Sequence, residues 1–167
     1  HQSNLASGLH EHYFNYASTP FALATGDYLF AWVYVDPANP PQEIMLSWTD
    51  GHWEHRAYWG ANLIAYGAEN TNGRRYVGPL PAAGQWVRLA VPATLVGLAG
   101  STVQGMSFTL YGGRAAWDSA GKTATTIPVA DTTNLPNKGA IKIGSEIIYY
   151  SGRSTTSGAG NLTGCQR

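Results

Sequence analysis

The sequence predicts an all-β protein. Three observations point there. Alternating apolar runs recur at short spacing, each bounded by turn residues. Twenty Gly and nine Pro are scattered singly rather than gathered in one tract, which marks many turns. No segment keeps a helical period, so a β-sandwich or barrel is expected.

The elements follow in order. Gly26-Asp27 signals a turn, and Asp27 to Asp36 reads as a long strand ended by Pro37. Its odd positions are Leu29, Ala31, Val33 and Val35, and its even positions are Tyr28, Phe30, Trp32 and Tyr34. Period two sends these sets to opposite faces. Both faces are apolar, so the strand is central, or it leaves an aromatic face open. Asp36-Pro-Ala-Asn-Pro-Pro41 is a rigid loop. Ile44, Leu46 and Trp48 then share a face, and Asp50-Gly51 is expected to close a two-residue hairpin. On the returning strand Trp53, His55, Ala57 and Trp59 share one face, and Glu54, Arg56 and Tyr58 the other. A polar connection, Ala68 to Arg75, leads through Gly78-Pro-Leu-Pro81 to a strand at Trp86–Val91. Residues Pro92 to Leu98 predict one short helical turn. Val103 to Tyr111 predicts a strand with Met106, Phe108 and Leu110 inward, broken at Gly112-Gly113 before Arg114 to Asp118.

All six Trp and all five His precede residue 118, and the composition changes near Ala120 to Thr123. Two units are therefore expected, 1–121 and 122–167. In the second, Ile127-Pro-Val129 precedes a hairpin of Ala140–Ile143 and Glu146–Tyr150 around a Gly144-Ser145 turn of type II′. Leu162 to Arg167 is the candidate final strand. A lone two-stranded hairpin is marginal in water, so this annex is expected to lean on further structure.

Bulk composition narrows the function. Apolar residues are 44 % and charged residues 12 %, about half the usual charged share. Formal net charge is zero, which argues against nucleic acid and anionic membrane surfaces as partners. The balance is uneven: five arginines face eight carboxylates in 1–121, a net of −3, and five cations face two carboxylates in 122–167, a net of +3. Cys165 is the single cysteine, so no disulfide forms within the chain. No apolar run is long enough to span a membrane.

Trp48 to Trp59 is the densest stretch, with Trp48, Trp53, Tyr58 and Trp59 beside His52, Glu54, His55 and Arg56. Flat aromatic rings suit the apolar faces of sugars, and neighbouring polar groups suit their hydroxyls. Trp53, Glu54, Arg56, Tyr58 and Trp59 are thus candidate carbohydrate-binding residues, with core filling as the competing role. Strand-end aspartates suit a structural calcium, and Asp27 and Asp118 are its candidate ligands; turn chemistry is their ordinary use. His10, His12, His52 and His55 lack any recognised zinc spacing. No nucleophile elbow, Cys–His pair or phosphate loop is present, so the chain is expected not to be an enzyme and to need no cofactor. Asn161-Leu-Thr163 is an N-glycosylation triplet.

Several blocks carry a resemblance. Gly8-Leu-His-Glu-His-Tyr-Phe14, Gly26-Asp-Tyr-Leu-Phe30, Val35-Asp-Pro-Ala-Asn-Pro-Pro41, Trp53-Glu-His-Arg-Ala-Tyr-Trp-Gly60, Gly78-Pro-Leu-Pro-Ala-Ala-Gly-Gln-Trp-Val-Arg88 and Gly112-Gly-Arg-Ala-Ala-Trp-Asp118 resemble a module of large bacterial secreted and RHS-type surface proteins. That module is similar to a galactose-binding-like jelly roll, an architecture shared by many carbohydrate-binding modules. Residues 125–167 carry Ile127, Val129, Leu135-Pro136, Gly139-x-Ile141-x-Ile143-Gly144-x-Glu146-Ile-Ile148-x-Tyr150-x-Gly152 and Leu162-Thr-Gly-Cys165-x-Arg167. They are similar to segments of phage-tail and pilus-like proteins.

The resemblance implies a jelly-roll β-sandwich over 1–121 and a small C-terminal β-hairpin annex over 122–167. In that module a Trp-containing segment precedes the region that matches His1; this sequence lacks it, so an open sheet edge is expected. The expected function is a non-catalytic, secreted structural subunit of an extracellular filament or cell-surface appendage. Its partners would be copies of itself, joined by strand addition. The alternative is an adhesive module that binds polysaccharide through the Trp53–Trp59 face.

Overall fold

The computed structural model describes residues 1–124, 126–144, 146–155 and 157–165. The chain divides into two compact units, His1–Lys122 and Thr123–Arg167. It is all-β, and among the described residues there is no α-helix. No helix is long and apolar enough to cross a membrane.

The first unit contains β1 (Ala6–Phe14), β2 (Phe21–Ala22), β3 (Tyr28–Val35), β4 (Glu43–Thr49), β5 (His55–Gly60), β6 (Arg75–Gly78), β7 (Trp86–Pro92), β8 (Thr102–Val103), β9 (Gly105–Gly113) and β10 (Ala115–Thr123). Five of them form a sheet in the order β1-β9-β4-β5-β6, and three form another in the order β10-β3-β7. One apolar core is shared between these sheets. Leu29, Ala31, Val33 and Val35 of β3, with Leu89 and Val91 of β7 and Trp117 of β10, pack in the same cluster as Ile44, Leu46, Trp48, Ala57, Trp59, Met106, Phe108 and Leu110. Strict alternation on each strand produces this sandwich core. β3 is central, and its aromatic face stays partly exposed. A 3-10 turn at Ala93–Val96 follows β7 and buries Ala93 and Val96.

The chain crosses between the sheets at Gly112 to Arg114. Gly112 and Gly113 both have positive φ, 68° and 66°, a region that costs other residues. A side chain at Gly113 would lie 2.4 Å from Pro41 N and 2.6 Å from Asn39 O. Arg114 fixes the corner: its Nε and Nη2 donate to Asp36 Oδ2 at 2.9 and 2.6 Å. Residues His1 to Ser3 follow the same crossing and bond to Ala115 and Trp117 of β10.

Three expectations change. The Asp50-Gly51 hairpin is not two residues long. Trp48 pairs with His55, so the register moves by two residues and Trp53 leaves the strand for the loop. A two-residue shift keeps every side chain on its face, and Ala57 and Trp59 still point to the core. β6 was not expected from the sequence; it pairs in parallel with β5. The β9 strand runs through Gly112 and Gly113 rather than breaking before them.

The second unit contains β11 (Thr126–Val129), β12 (Gly139–Ile143), β13 (Glu146–Tyr150), β14 (Gly152–Arg153) and β15 (Gly160–Thr163). β12 and β13 pair with Ile143 opposite Glu146, the register a two-residue loop requires. Ser145 of the expected turn lies outside the described residues, as do Gln166 and Arg167 of the expected last strand. The hairpin is not left alone. Ile148, Tyr150, Leu162 and Cys165 are buried together, with Ile127, Val129, Leu135 and Ile141 packed on them. Thr132 is fully buried, and its Oγ1 satisfies itself on Thr155 and Gly158.

Candidate functional site

The outer face of the five-stranded sheet carries the most developed site. Where β4, β5 and β9 turn apolar side chains inward, their alternate residues turn outward. Tyr13 of β1 lies opposite Ser107 of β9, Ser107 opposite Ser47 of β4, and Ser47 opposite Arg56 of β5. These four form one row across four strands. The next row runs Glu11, Thr109, Met45, Tyr58 and Tyr76.

Part of this face is covered. The segment 61–74 folds over Met45 and Tyr58 and buries its own Ile64 with them, with Tyr66 and Tyr111 packed against the three. Glu43 anchors it. This carboxylate is fully buried, and its Oε2 accepts from the Leu63 and Ile64 N–H groups. Burial pushes the Glu43 carboxyl above its ordinary value, against the pull of those two N–H donors.

The uncovered part is an open cleft of about 630 Å³. Its floor is Ser47, Ser107, Glu11 and Arg56. Its walls are aromatic: Tyr13 at the end of β1, Tyr16 just beyond it, Trp53 from the β4–β5 loop and Tyr66 from the covering segment. Tyr13 and Tyr16 are exposed. Tyr16 has a left-handed backbone, φ 55°, and its N–H donates to Asn15 Oδ1 at 2.8 Å. Such a conformation is uncommon outside Gly and gathers at functional positions.

Two charged groups define the electrostatics. Glu11 Oε2 accepts from Ser107 Oγ at 3.3 Å and Thr109 Oγ1 at 3.1 Å. Arg56 is buried; its Nη1 donates to Gly73 O at 3.0 Å and to Glu54 Oε2 at 3.2 Å. Its guanidinium lies 5.7 Å from the Tyr66 ring centre, within the range of a cation–π contact. Burial, and then the Glu11 charge, raise the Tyr66 phenol above its ordinary value, while Arg56 opposes them.

The residues singled out from sequence separate here. Trp53 and Arg56 line the cleft. Glu54 is exposed beside it and pairs with Arg56. Tyr58 is buried under the covering segment and donates to Glu69 Oε1 at 3.1 Å. Trp59 faces the sandwich core. Neither Tyr58 nor Trp59 presents a ring to the cleft, because the β5 alternation and the 61–74 cover enclose them. Sequence reasoning missed Glu11, Tyr13, Ser47, Tyr66 and Ser107. The available signal was polar Ser47, Ser107 and Thr109 alternating with core residues on strands that are otherwise apolar.

Asp27 is buried; its Oδ2 receives Lys122 Nζ at 2.9 Å and the Ala24 N–H at 3.0 Å. Asp118 is exposed at the mouth of a second cavity, about 390 Å³, walled by Phe14, Phe21, Met106 and Phe108. Of the histidines, His1 and His12 meet with ring centroids 3.7 Å apart. His12 stacks on Phe108 with centroids 4.8 Å apart, and His55 Nδ1 donates to Val96 O at 2.7 Å. Among the described residues no three His, Cys, Asp or Glu stand close enough to hold a metal ion.

The fold and the cleft together define a β-sandwich with an aromatic-walled surface site. A search of protein-family models finds no match to the chain, and searches of curated proteins and of solved structures find none either.

Proposed function

We propose that residues 1–122 are a non-catalytic carbohydrate-binding module of a secreted protein. The observation that carries this reading is the cleft itself. Exposed Tyr13 and Tyr16 and half-buried Trp53 stand over a floor of Ser47, Ser107, Glu11 and Arg56. Ring faces offer apolar contact to a pyranose, and the hydroxyl, carboxylate and guanidinium groups offer the fixed polar partners that orient it. The sequence resemblance to a galactose-binding-like jelly roll of surface proteins supports the same reading and an extracellular location. Screening the full chain on a glycan array tests it. Retention of a polysaccharide class, lost in Trp53→Ala, is the expected result. An intact, folded chain that retains no glycan overturns it.

A second reading, a self-assembling subunit of a filament or appendage, is favoured by a different feature. On the β12–β13 hairpin Ile147 and Tyr149 are 54 % and 61 % exposed, and they lie opposite Lys142 and Ala140. β1 is also a nine-residue edge strand. Apolar faces and long edges of this kind favour association between copies. Sedimentation velocity over a broad concentration range separates the readings. Concentration-dependent growth, abolished by Ile147→Lys, supports assembly. A discrete monomer at every concentration removes it.

A further inference from the structure

We infer that the ligand of the cleft is an amino sugar, with its ammonium group seated against Glu11. This rests on the carbohydrate reading and adds the substrate class. Three observations combine.

Glu11 is an exposed carboxylate, and among the described residues its hydrogen bonds come from the hydroxyls of Ser107 and Thr109, both to Oε2. Among the described residues no cation pairs with it. Arg56, the cation that lines the cleft, is already engaged: Glu54 and Gly73 O take its Nη1, and Tyr66 lies against its guanidinium. Arg56 is thus paired with Glu54 beside the cleft, and Glu11 stands in the cleft without an ion-pair partner among the described residues.

The walls add to this. Tyr13, Tyr16, Trp53 and Tyr66 turn aromatic rings to the same space. Aromatic faces attract a cation through the ring quadrupole. A carboxylate that is unmatched in charge and an aromatic surround are jointly complementary to an ammonium. An N-acetylated sugar has no charge to place there, and a uronic or sulfated sugar would meet Glu11 with like charge.

The test is calorimetric titration of the full chain with three tetrasaccharides of the same β-1,4 linkage: glucosamine, N-acetylglucosamine and glucose. At mildly acidic pH, where the amine is protonated, the glucosamine oligomer is expected to bind about tenfold tighter than either neutral one. The preference should shrink with added salt and vanish above the amine's titration. Glu11→Gln, which keeps an acceptor for Ser107 and Thr109, should bring the ratio of amino to neutral affinity close to one. Equal affinity for all three oligomers overturns the inference and leaves the carbohydrate reading standing. So does a preference that survives Glu11→Gln. Binding of none of them, by a chain that also retains nothing on the array, overturns both.

Discussion

Tyr13 meets Trp53 edge to face, with ring centroids 5.9 Å apart and planes at 78°. One ring comes from the end of β1 and the other from the β4–β5 loop, with β9 and β4 between them in the sheet. The pair joins two walls of the cleft. Edge-to-face pairs contribute about 0.5–1.5 kcal/mol beyond area burial. A double-mutant cycle of Tyr13→Ala and Trp53→Ala, read by denaturant unfolding, should return a coupling in that range. Additive effects would mean that the rings do not hold one another.

Trp53 and Trp59 are six residues apart and should behave oppositely. Trp59 is 6 % exposed within the sandwich core, so Trp59→Ala should cost about 3–5 kcal/mol of stability. Trp53 is partly exposed in a loop, and Trp53→Ala should cost well under half of that while removing glycan retention. Urea unfolding of both variants provides the comparison; equal destabilisation would contradict the division of roles.

Glu43 gives the fold a pH dependence of definite sign. Burial holds its carboxyl above the ordinary glutamate value in the folded state. As pH rises from that ordinary value through the raised one, the unfolded chain gives up its proton first. Stability from this group is therefore present at low pH and falls across that window. Glu43→Gln removes the titration and keeps an oxygen for the Leu63 and Ile64 N–H groups. Its melting temperature relative to the parent should improve as pH rises above the ordinary glutamate value. A difference that does not change with pH would refute this.

The two corner glycines should differ. Alanine at Gly112 meets no atom within 4 Å and carries only the left-handed backbone cost, roughly 1–2 kcal/mol. Alanine at Gly113 adds collisions with the backbone of Asn39, Pro40 and Pro41. Gly113→Ala should be clearly the more destabilising in chemical denaturation, and equal losses would show that the 39–41 loop yields freely.

The strands were legible wherever one face was buried. Leu29, Ala31, Val33 and Val35 alternate with aromatic residues, and all four are at most 1 % exposed. The β12–β13 hairpin was equally plain, since Gly144 and the flanking Ile runs fix a short loop. The Asp50-Gly51 signal was read too tightly: turn residues mark a reversal without setting its length, and His55 is held by Val96 O, far away in sequence. β6 had no local signal, because a parallel strand is paired through a long connection rather than a turn.

The site divides along the same line. Local sequence determined that Trp53, Glu54 and Arg56 would be aromatic and charged groups near a strand end, because alternation and turn chemistry act over a few residues. Tertiary structure alone decided that Trp59 belongs to the core and that Tyr13 stands across from Ser107 and Glu11 across from Thr109. Glu11 and Ser107 are 96 positions apart, and only the register of β1 on β9 brings them into hydrogen-bond range. Strand pairing is a long-range choice made by burying one face of the whole sheet, and the opposite face takes whatever constellation that choice aligns.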